Sequence, residues 1–234
     1  MSAFGRLSKR LKTVFRIFGP PGTGKTTTLL NMVDKALESG IEPIDIAFLA
    51  FTKKAATEAR ERAAERFNLD PKHDLCNFRT LHSLVTGVSL NGSKVSNFDD
   101  DLPSVTKSSD PVLGVINLAR LRKVPLRDQY NISRLEESWN LVNYVDKSLR
   151  EYKERFGLYD FTDMLAVFAE QGERVCPNFK LTFLDEAQDL SPLQWDIAHM
   201  LDKKSDKMYC AGDDDQAIYR WAGADLYVGV GRYG

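Results

Sequence analysis

The 234-residue chain has little of what marks secreted, membrane or disulfide-bonded proteins. Its three cysteines, Cys76, Cys176 and Cys210, are far apart and in no C-x-x-C arrangement, which argues against a disulfide framework or a zinc site. No stretch approaches the roughly 18 consecutive apolar residues of a membrane span, and no apolar run of signal length follows the basic N-terminal residues. We therefore expect a soluble, cytoplasmic protein with no membrane partner.

The chain also lacks an excess of charge of either sign. It has 32 Lys and Arg against 33 Asp and Glu, a formal net charge of −1. Any binding of nucleic acid must therefore come from local patches and not from a basic protein as a whole. The hydrophobic fraction of 43% is enough for one large or two small globular domains with an ample core.

Short β-branched and aromatic runs alternate with helical patterns near both ends of the chain. Residues 14–18 form an apolar run that ends in a Gly-Pro turn, and a helical pattern follows over residues 25–39. Strands that alternate with helices predict an α/β fold with a parallel sheet. The other predicted elements are a strand at 44–51, a helix at 53–67, a helix from 160 to 171, a strand at 181–184, a helix from 192 and a strand at 208–211.

The middle of the chain differs in composition. A loop rich in serine, aspartate and proline is followed by helical patterns over 113–122 and 132–156. We interpret residues 91–156 as a small helical subdomain that interrupts the α/β domain. The two parts of that domain are then 1–90 and 157–234.

Residues 19–26, GPPGTGKT, match the P-loop pattern G-x-x-x-x-G-K-[ST] and stand between a predicted strand and a predicted helix. In such a loop, glycines let backbone N–H groups close around phosphate oxygens. Lys25 supplies charge to the β and γ phosphates, and the Thr26 hydroxyl can bind Mg²⁺. The candidate nucleotide-binding residues are Gly19, Gly22, Thr23, Gly24, Lys25, Thr26 and Thr27.

An acidic pair, Asp185 and Glu186, ends the apolar run at 181–184. A P-loop enzyme needs a second carboxylate to hold Mg²⁺, usually at the end of a neighbouring strand, and Asp185 is the candidate. Glu186 could accept a proton from an attacking water. The sequence therefore predicts both a metal ligand and a general base.

Five segments resemble the motifs of UvrD/Rep-type superfamily 1 DNA helicases, in the same order. Residues 185–189, DEAQD, resemble the family's acidic box, and residues 211–224, AGDDDQAIYRWAGA, resemble its next motif. Residues 49–56, LAFTKKAA, and 80–83, TLHS, resemble segments that contact single-stranded DNA, and 160–163, DFTD, resembles a further marker. The chain is thus similar to the N-terminal ATP-binding portion of these helicases.

The resemblance implies a RecA-like P-loop domain that binds ATP, Mg²⁺ and single-stranded DNA. The implied catalytic residues are Lys25, Asp185, Glu186 and Gln216, with Thr26 and Asp185 as metal ligands and Gln188 at the γ-phosphate. The implied DNA-binding residues are Phe51, Thr52, Thr80, His82, Tyr219 and Trp221. Stacking of a base on an aromatic ring such as Trp221 is worth about 1–3 kcal/mol.

The chain departs from the family at three points. Its first glutamine is Gln129, whereas family members carry an adenine-reading glutamine before the P-loop, and its W-A-G-A at 221–224 replaces W-R-G-A. Family members also continue into a second RecA-like lobe with arginine fingers, which are worth about 10³–10⁵ in turnover. We expect this chain alone to bind nucleotide but hydrolyse it slowly, with a separate second lobe as a candidate partner. A non-catalytic nucleotide-dependent DNA-binding module and a P-loop ATPase that acts on proteins are the alternatives.

The arginines at 60, 62 and 66 form a basic cluster in the helical pattern over 53–67. Their spacing predicts a solvated helix face that pairs with Glu58 and Glu61. A basic helix beside the strand path would also help to steer DNA toward the protein.

Overall fold

The computed structural model describes residues 14–20, 22–89 and 110–212. Its strands form one sheet in the order β1-β5-β4-β2-β3, and every neighbouring pair is parallel. The predicted α/β fold class with a parallel sheet is confirmed. The strands are β1 (Val14–Phe18), β2 (Ile46–Ala50), β3 (Phe78–Thr80), β4 (Phe179–Leu184) and β5 (Ser205–Gly212).

Helices connect the strands, and several begin at a side-chain cap. Thr52 accepts a hydrogen bond from the backbone N–H of Ala55, and Asp110 accepts from Val112 and Leu113. No helix in the described part of the chain is both long and apolar enough to cross a membrane. The helices are α1 (Lys25–Glu38), α2 (Lys53–Phe67), α3 (Leu81–Ser89), α4 (Pro111–Arg122), α5 (Leu126–Ile132), α6 (Trp139–Phe156), α7 (Phe161–Gln171) and α8 (Pro192–Lys203), with 3₁₀ turns at Pro43–Asp45, Gly172–Arg174 and Ala187–Asp189.

The chain divides into two compact units by its internal contacts. Among the described residues, the sheet unit comprises those between 14 and 84, 176–190 and 198–212, and the helical unit comprises those between 85 and 175 and 191–197. The division falls within α3 and within α8. The domain boundaries that the sequence suggests, after residues 90 and 156, stay a prediction.

An aromatic ladder crosses the sheet unit, with one ring from each strand. Neighbouring ring centroids along the ladder lie 4.9–6.4 Å apart, because parallel register places the five side chains side by side on one face. In sheet order from β3 the rings are Phe78, Phe48, Phe183, Tyr209 and Phe15. Helices α1 and α2 pack on this face, as expected when successive right-handed crossovers run in one direction along a sheet. Their shared buried residues are Leu29, Leu30, Val33, Ala36, Ala56, Ala59 and Ala63.

The helical unit has its own apolar core and an ionic cluster. Val112 and Ile116 of α4 pack against Val142 of α6, with Trp139 and Tyr130 at the edge. The ring centroids of Trp139 and Tyr130 lie 5.5 Å apart. This unit therefore holds its helices together by residues that are distinct from the sheet core.

The ionic cluster joins α4, α6 and the start of α7. Asp160 and Asp163 form a capping box, and Arg120 and Lys153 bind both carboxylates. Burial alone would raise the pKa of Asp160, but the hydrogen bonds and charge of Arg120, with the hydrogen bond of Lys153, outweigh it and hold that pKa well below its ordinary value.

Two expectations about local structure are wrong. The long helix begins at Trp139 and not at Ile132, because Ser138 caps it and the backbone of Arg134 is left-handed, with φ of 48°. Arg62 and Arg66 are partly exposed, at 35% and 48%, but they do not pair with the acids of their own helix. They bind carboxylates of α1 instead, since α1 and α2 lie together on the sheet.

Candidate functional site at the carboxyl edge of the sheet

The predicted site residues that the structure describes lie at or just beyond the carboxyl ends of the strands. Parallel strands bring these ends to one edge, where open α/β sheets bind ligands. The P-loop follows β1, and β2 is followed by Phe51 and Thr52. Strand β3 ends at Thr80, and His82 lies two residues further on. Strand β4 is followed by Asp185, Glu186 and Gln188. All of these residues belong to the sheet unit.

The P-loop needs its glycines for two different reasons. A Cβ at Gly19 would lie 2.5 Å from Thr23 Oγ1, so any larger residue there would force the Thr23 side chain to move. At Gly22 and Gly24 there is space, but φ values of 82° and 79° are strained for a residue with a side chain. Thr23 Oγ1 also donates a hydrogen bond of 2.8 Å to Pro20 O, which closes the loop on itself.

The N-terminus of α1 is suited to a phosphate. Gly24 occupies the cap position in a left-handed conformation and offers no side-chain cap, so this end presents backbone N–H groups and a positive dipole. Lys25, only 8% exposed, donates through Nζ to Gly19 O at 2.7 Å and Pro20 O at 3.1 Å. Its ammonium therefore lies against the loop that precedes the helix, with exposed Thr27 in the same first turn.

The predicted metal ligands, Thr26 and Asp185, are in direct contact although they are far apart in sequence. Thr26 Oγ1 donates a hydrogen bond of 2.7 Å to Asp185 Oδ2. Asp185 is 1% exposed, and its backbone N–H donates to Leu49 O at 2.9 Å. Burial raises the pKa of Asp185, and the hydrogen bond from Thr26 acts in the opposite direction.

These two side chains fit Mg²⁺ in their chemistry. Mg²⁺ prefers hard oxygen ligands and usually takes one or two from the protein, with phosphate oxygens and water completing the shell. A hydroxyl and a carboxylate that already touch can share such an ion. Within the described ranges no group of three or more His, Cys, Asp or Glu residues could hold an ion by itself.

Glu186, the predicted general base, stands in a strained backbone conformation. Its φ of 54° and ψ of 44° are left-handed, which costs a non-glycine residue about 1–3 kcal/mol and is commonest at functional sites. Gln188 Nε2 donates a hydrogen bond of 2.6 Å to Glu186 Oε2. The predicted contact of Gln188 with the γ-phosphate stays a prediction, but the structure places this amide beside the candidate base.

The predicted DNA-binding side chains have different surroundings. Phe51 is 45% exposed at the end of β2. Thr52 Oγ1 accepts from Ala55 N, and Thr80 Oγ1 accepts from Ser83 N, each at 3.2 Å. Both threonines thus cap helices, while a hydroxyl that accepts one bond keeps its own O–H as a donor. Burial lowers the pKa of His82, which favours the neutral imidazole.

Three predicted residues, Gln216, Tyr219 and Trp221, lie outside the described residues. Their roles stay predictions. The last described strand, β5, ends at the buried Gly212, directly before that segment of the chain.

Two features of the sheet unit were missed by the motif patterns. The carbonyl of Leu49 accepts a hydrogen bond from the backbone N–H of Asp185, and this contact depends on the register of β2 against β4. Asp34 of α1 is buried, and its position four residues after the apolar Leu30 was a signal that a charge occupies the inner helix face.

Comparison with known protein families agrees with this geometry. The family profile described as an AAA domain matches residues 7–222, which is most of the chain. The chain belongs to the AAA domain family. Its sheet order and P-loop are those of a RecA-like P-loop fold, as the motifs predict.

Individual relatives of this AAA domain are DNA helicases by name. ATP-dependent DNA helicase PcrA of Leuconostoc citreum is 26% identical over 90% of this chain and 32% of its own length. ATP-dependent DNA helicase Rep of Buchnera aphidicola is 25% identical over 89% of this chain and 36% of its own length. DNA helicase II of Haemophilus influenzae is 25% identical over 88% of this chain and 32% of its own length. The resemblance to UvrD/Rep-type helicases is confirmed, and this AAA domain spans about a third of the length of these relatives.

Proposed function

We propose that this AAA domain is the ATP-binding and single-stranded-DNA-binding N-terminal portion of a superfamily 1 DNA helicase. Completed by a second RecA-like lobe, it would couple ATP hydrolysis to DNA translocation and unwinding. The observation that carries the proposal is the hydrogen bond of 2.7 Å between Thr26 and Asp185. It joins the P-loop to the acidic motif at the edge where the candidate DNA-binding residues also lie.

The residues around the nucleotide have separate tasks. Lys25 and the backbone N–H groups at the start of α1 bind the phosphates, and Thr26 with Asp185 holds Mg²⁺, which neutralises phosphate charge when bound. Glu186 takes the proton of the attacking water at a carboxylate oxygen. Gln188, hydrogen-bonded to Glu186, orients that carboxylate. Exclusion of bulk water and an arginine finger would come from the second lobe.

The residues around DNA would bind without sequence preference. Phe51 offers an exposed ring on which a base can stack, and the hydroxyls of Thr52 and Thr80 can donate to phosphates. At neutral pH His82 would act as a neutral hydrogen-bond donor, since burial lowers its pKa. A cytoplasmic location fits such a function.

Steady-state hydrolysis tests the proposal. ATPase activity is measured with and without single-stranded DNA for the wild type, for Glu186→Gln and for Glu65→Gln, which changes an exposed carboxyl on α2 in the same unit. We expect slow hydrolysis that DNA increases, that Glu186→Gln abolishes and that Glu65→Gln leaves unchanged. Turnover that survives Glu186→Gln would contradict the assigned base.

The second candidate is a non-catalytic, nucleotide-dependent DNA-binding module that needs a partner lobe. This chain spans about a third of the length of the helicase relatives, and this alternative concerns what that span does by itself. The same experiment separates the two functions. Nucleotide-dependent binding of DNA without any Glu186-dependent turnover would support the module and refute catalysis by this chain alone.

A further inference from the structure

A buried carboxylate outside the nucleotide site lies between two arginines. Asp34 of α1 is 3% exposed, on a helix whose neighbouring residues Leu30, Val33 and Ala36 belong to the buried apolar cluster. Arg66 of α2 binds Asp34 Oδ2, and Arg62 Nη2 lies 3.4 Å from the same oxygen. A buried charge is costly unless it is paired, so the two guanidinium groups hold this carboxylate in place.

Each arginine also binds a second group on α1. Arg62 Nη2 donates to Asn31 Oδ1 at 2.8 Å, and Arg66 Nη2 donates to Glu38 Oε1 at 2.9 Å. Asn31, Asp34 and Glu38 are three and four residues apart, so they lie on one face of α1 along two helical turns. We call these five residues the interhelical cluster.

The interhelical cluster connects two helices whose N-termini have different tasks. Helix α1 begins with Lys25 and Thr26 at the phosphate site, and α2 begins directly after Phe51 and Thr52. Where the helices share the apolar cluster, α2 contributes only small side chains, the alanines at 56, 59 and 63. Small apolar contacts resist sliding weakly, whereas directional ion pairs fix one helix along the axis of the other.

We propose that Asp34, with Arg62 and Arg66, couples the P-loop helix to the DNA-binding segment Phe51–Thr52. This rests on the proposed function, because it requires both ligands to bind the sheet unit. Bound phosphates contact the ammonium of Lys25 and the N-terminus of α1, and they attract both. A shift of α1 along its axis then moves α2, and the end of β2, through the interhelical cluster. These three side chains are positioning residues and touch neither ligand.

Thermodynamic linkage measures this coupling directly. The affinity of the chain for a fluorescent single-stranded oligonucleotide is measured with and without a non-hydrolysable ATP analogue and Mg²⁺, and the affinity for the analogue is measured with and without the oligonucleotide. The factor by which the analogue changes the affinity for the oligonucleotide must equal the factor by which the oligonucleotide changes the affinity for the analogue. Perturbing a connecting network typically changes such a ratio by about 2- to 30-fold.

In Asp34→Asn, the ratio of the affinities measured with and without the other ligand should fall close to 1. Each affinity measured without the other ligand should change by less than about twofold, because the variant loses the coupling and keeps both binding sites. Arg66→Met is the second variant, since its side chain is 48% exposed and its loss does not open the core. The control is Lys180→Met, which breaks the exposed ion pair with Asp45 in the same unit. Circular dichroism verifies that each variant is folded.

The outcomes are distinct. If the wild type binds both ligands with linkage and Asp34→Asn and Arg66→Met keep that linkage, the coupling role is overturned while the proposed function stands. If the variants weaken both affinities equally and leave the ratio unchanged, the cluster is merely structural and the inference is wrong. If the wild type binds neither ligand, the proposed function itself fails, and this inference fails with it.

Discussion

Replacing Phe51 with alanine removes the exposed ring at the carboxyl end of β2. The residue is 45% exposed, so part of its surface is accessible to a base. One stacked base is worth about 1–3 kcal/mol, which corresponds to about a 5- to 150-fold weaker affinity for single-stranded DNA. Because stacking ignores base identity, the loss should be similar for oligonucleotides of different sequence.

Fluorescence anisotropy with a labelled oligonucleotide measures this loss. The control is Phe156→Ala, which removes a ring that is 57% exposed in the helical unit. We expect Phe51→Ala to weaken DNA binding and to leave nucleotide affinity unchanged, and we expect Phe156→Ala to affect neither. An unchanged DNA affinity in folded Phe51→Ala would refute the assignment of this edge as the DNA path.

Three further predictions concern other parts of the molecule. Arg120→Met should destabilise the helical unit by about 1–3 kcal/mol at pH 7, less than for a fully buried pair because Arg120 is 23% exposed. Because the pKa of Asp160 is lowered in the folded state, its ionised carboxylate stabilises the fold at pH values above the ordinary carboxyl pKa. In urea unfolding, the difference in stability between the wild type and Arg120→Met should therefore shrink as the pH falls below about 3.9. A difference that does not depend on pH would contradict the ionic origin. Thr26→Val should raise the Mg²⁺ concentration needed for nucleotide binding by at least about tenfold, measured by titration with an ATP analogue, and an unchanged requirement would remove Thr26 from the metal site. Oligonucleotide-induced quenching of tryptophan fluorescence should disappear in Trp221→Phe and persist in Trp139→Phe; the reverse pattern would place the stacking platform elsewhere.

Much of the sheet unit could be predicted because its signals are local. The bounds of α2 follow from Thr52 as a cap and the apolar spacing behind it. The P-loop and the acidic pair each follow a short apolar run, and parallel strands necessarily bring their carboxyl ends to one edge. The contact between Thr26 and Asp185 is the geometric consequence of that topology.

The remaining features depend on tertiary packing that no local pattern contains. Arg62 and Arg66 have acids within helical reach on α2, yet they bind Asp34, 28 and 32 residues away, because the sheet sets α1 beside α2. The start of α6 was obscured since Leu135 continues the helical apolar spacing across the turn before Ser138. The left-handed backbone at position 186 could not be predicted, because the residue is a glutamate and not the glycine that usually marks this conformation.

The binding of a fluorescent ATP analogue as a function of Mg²⁺, compared between the wild type, Lys25→Ala and Lys35→Ala, tests the central claim most directly. Lys35 is an exposed lysine on the same helix, so it controls for charge. Loss of a charge-assisted bond to phosphate should weaken binding by about 10- to 150-fold in Lys25→Ala, with Lys35→Ala equal to the wild type. Equal affinities for all three proteins, or binding that does not depend on Mg²⁺, would contradict a nucleotide site built from Lys25, Thr26 and Asp185.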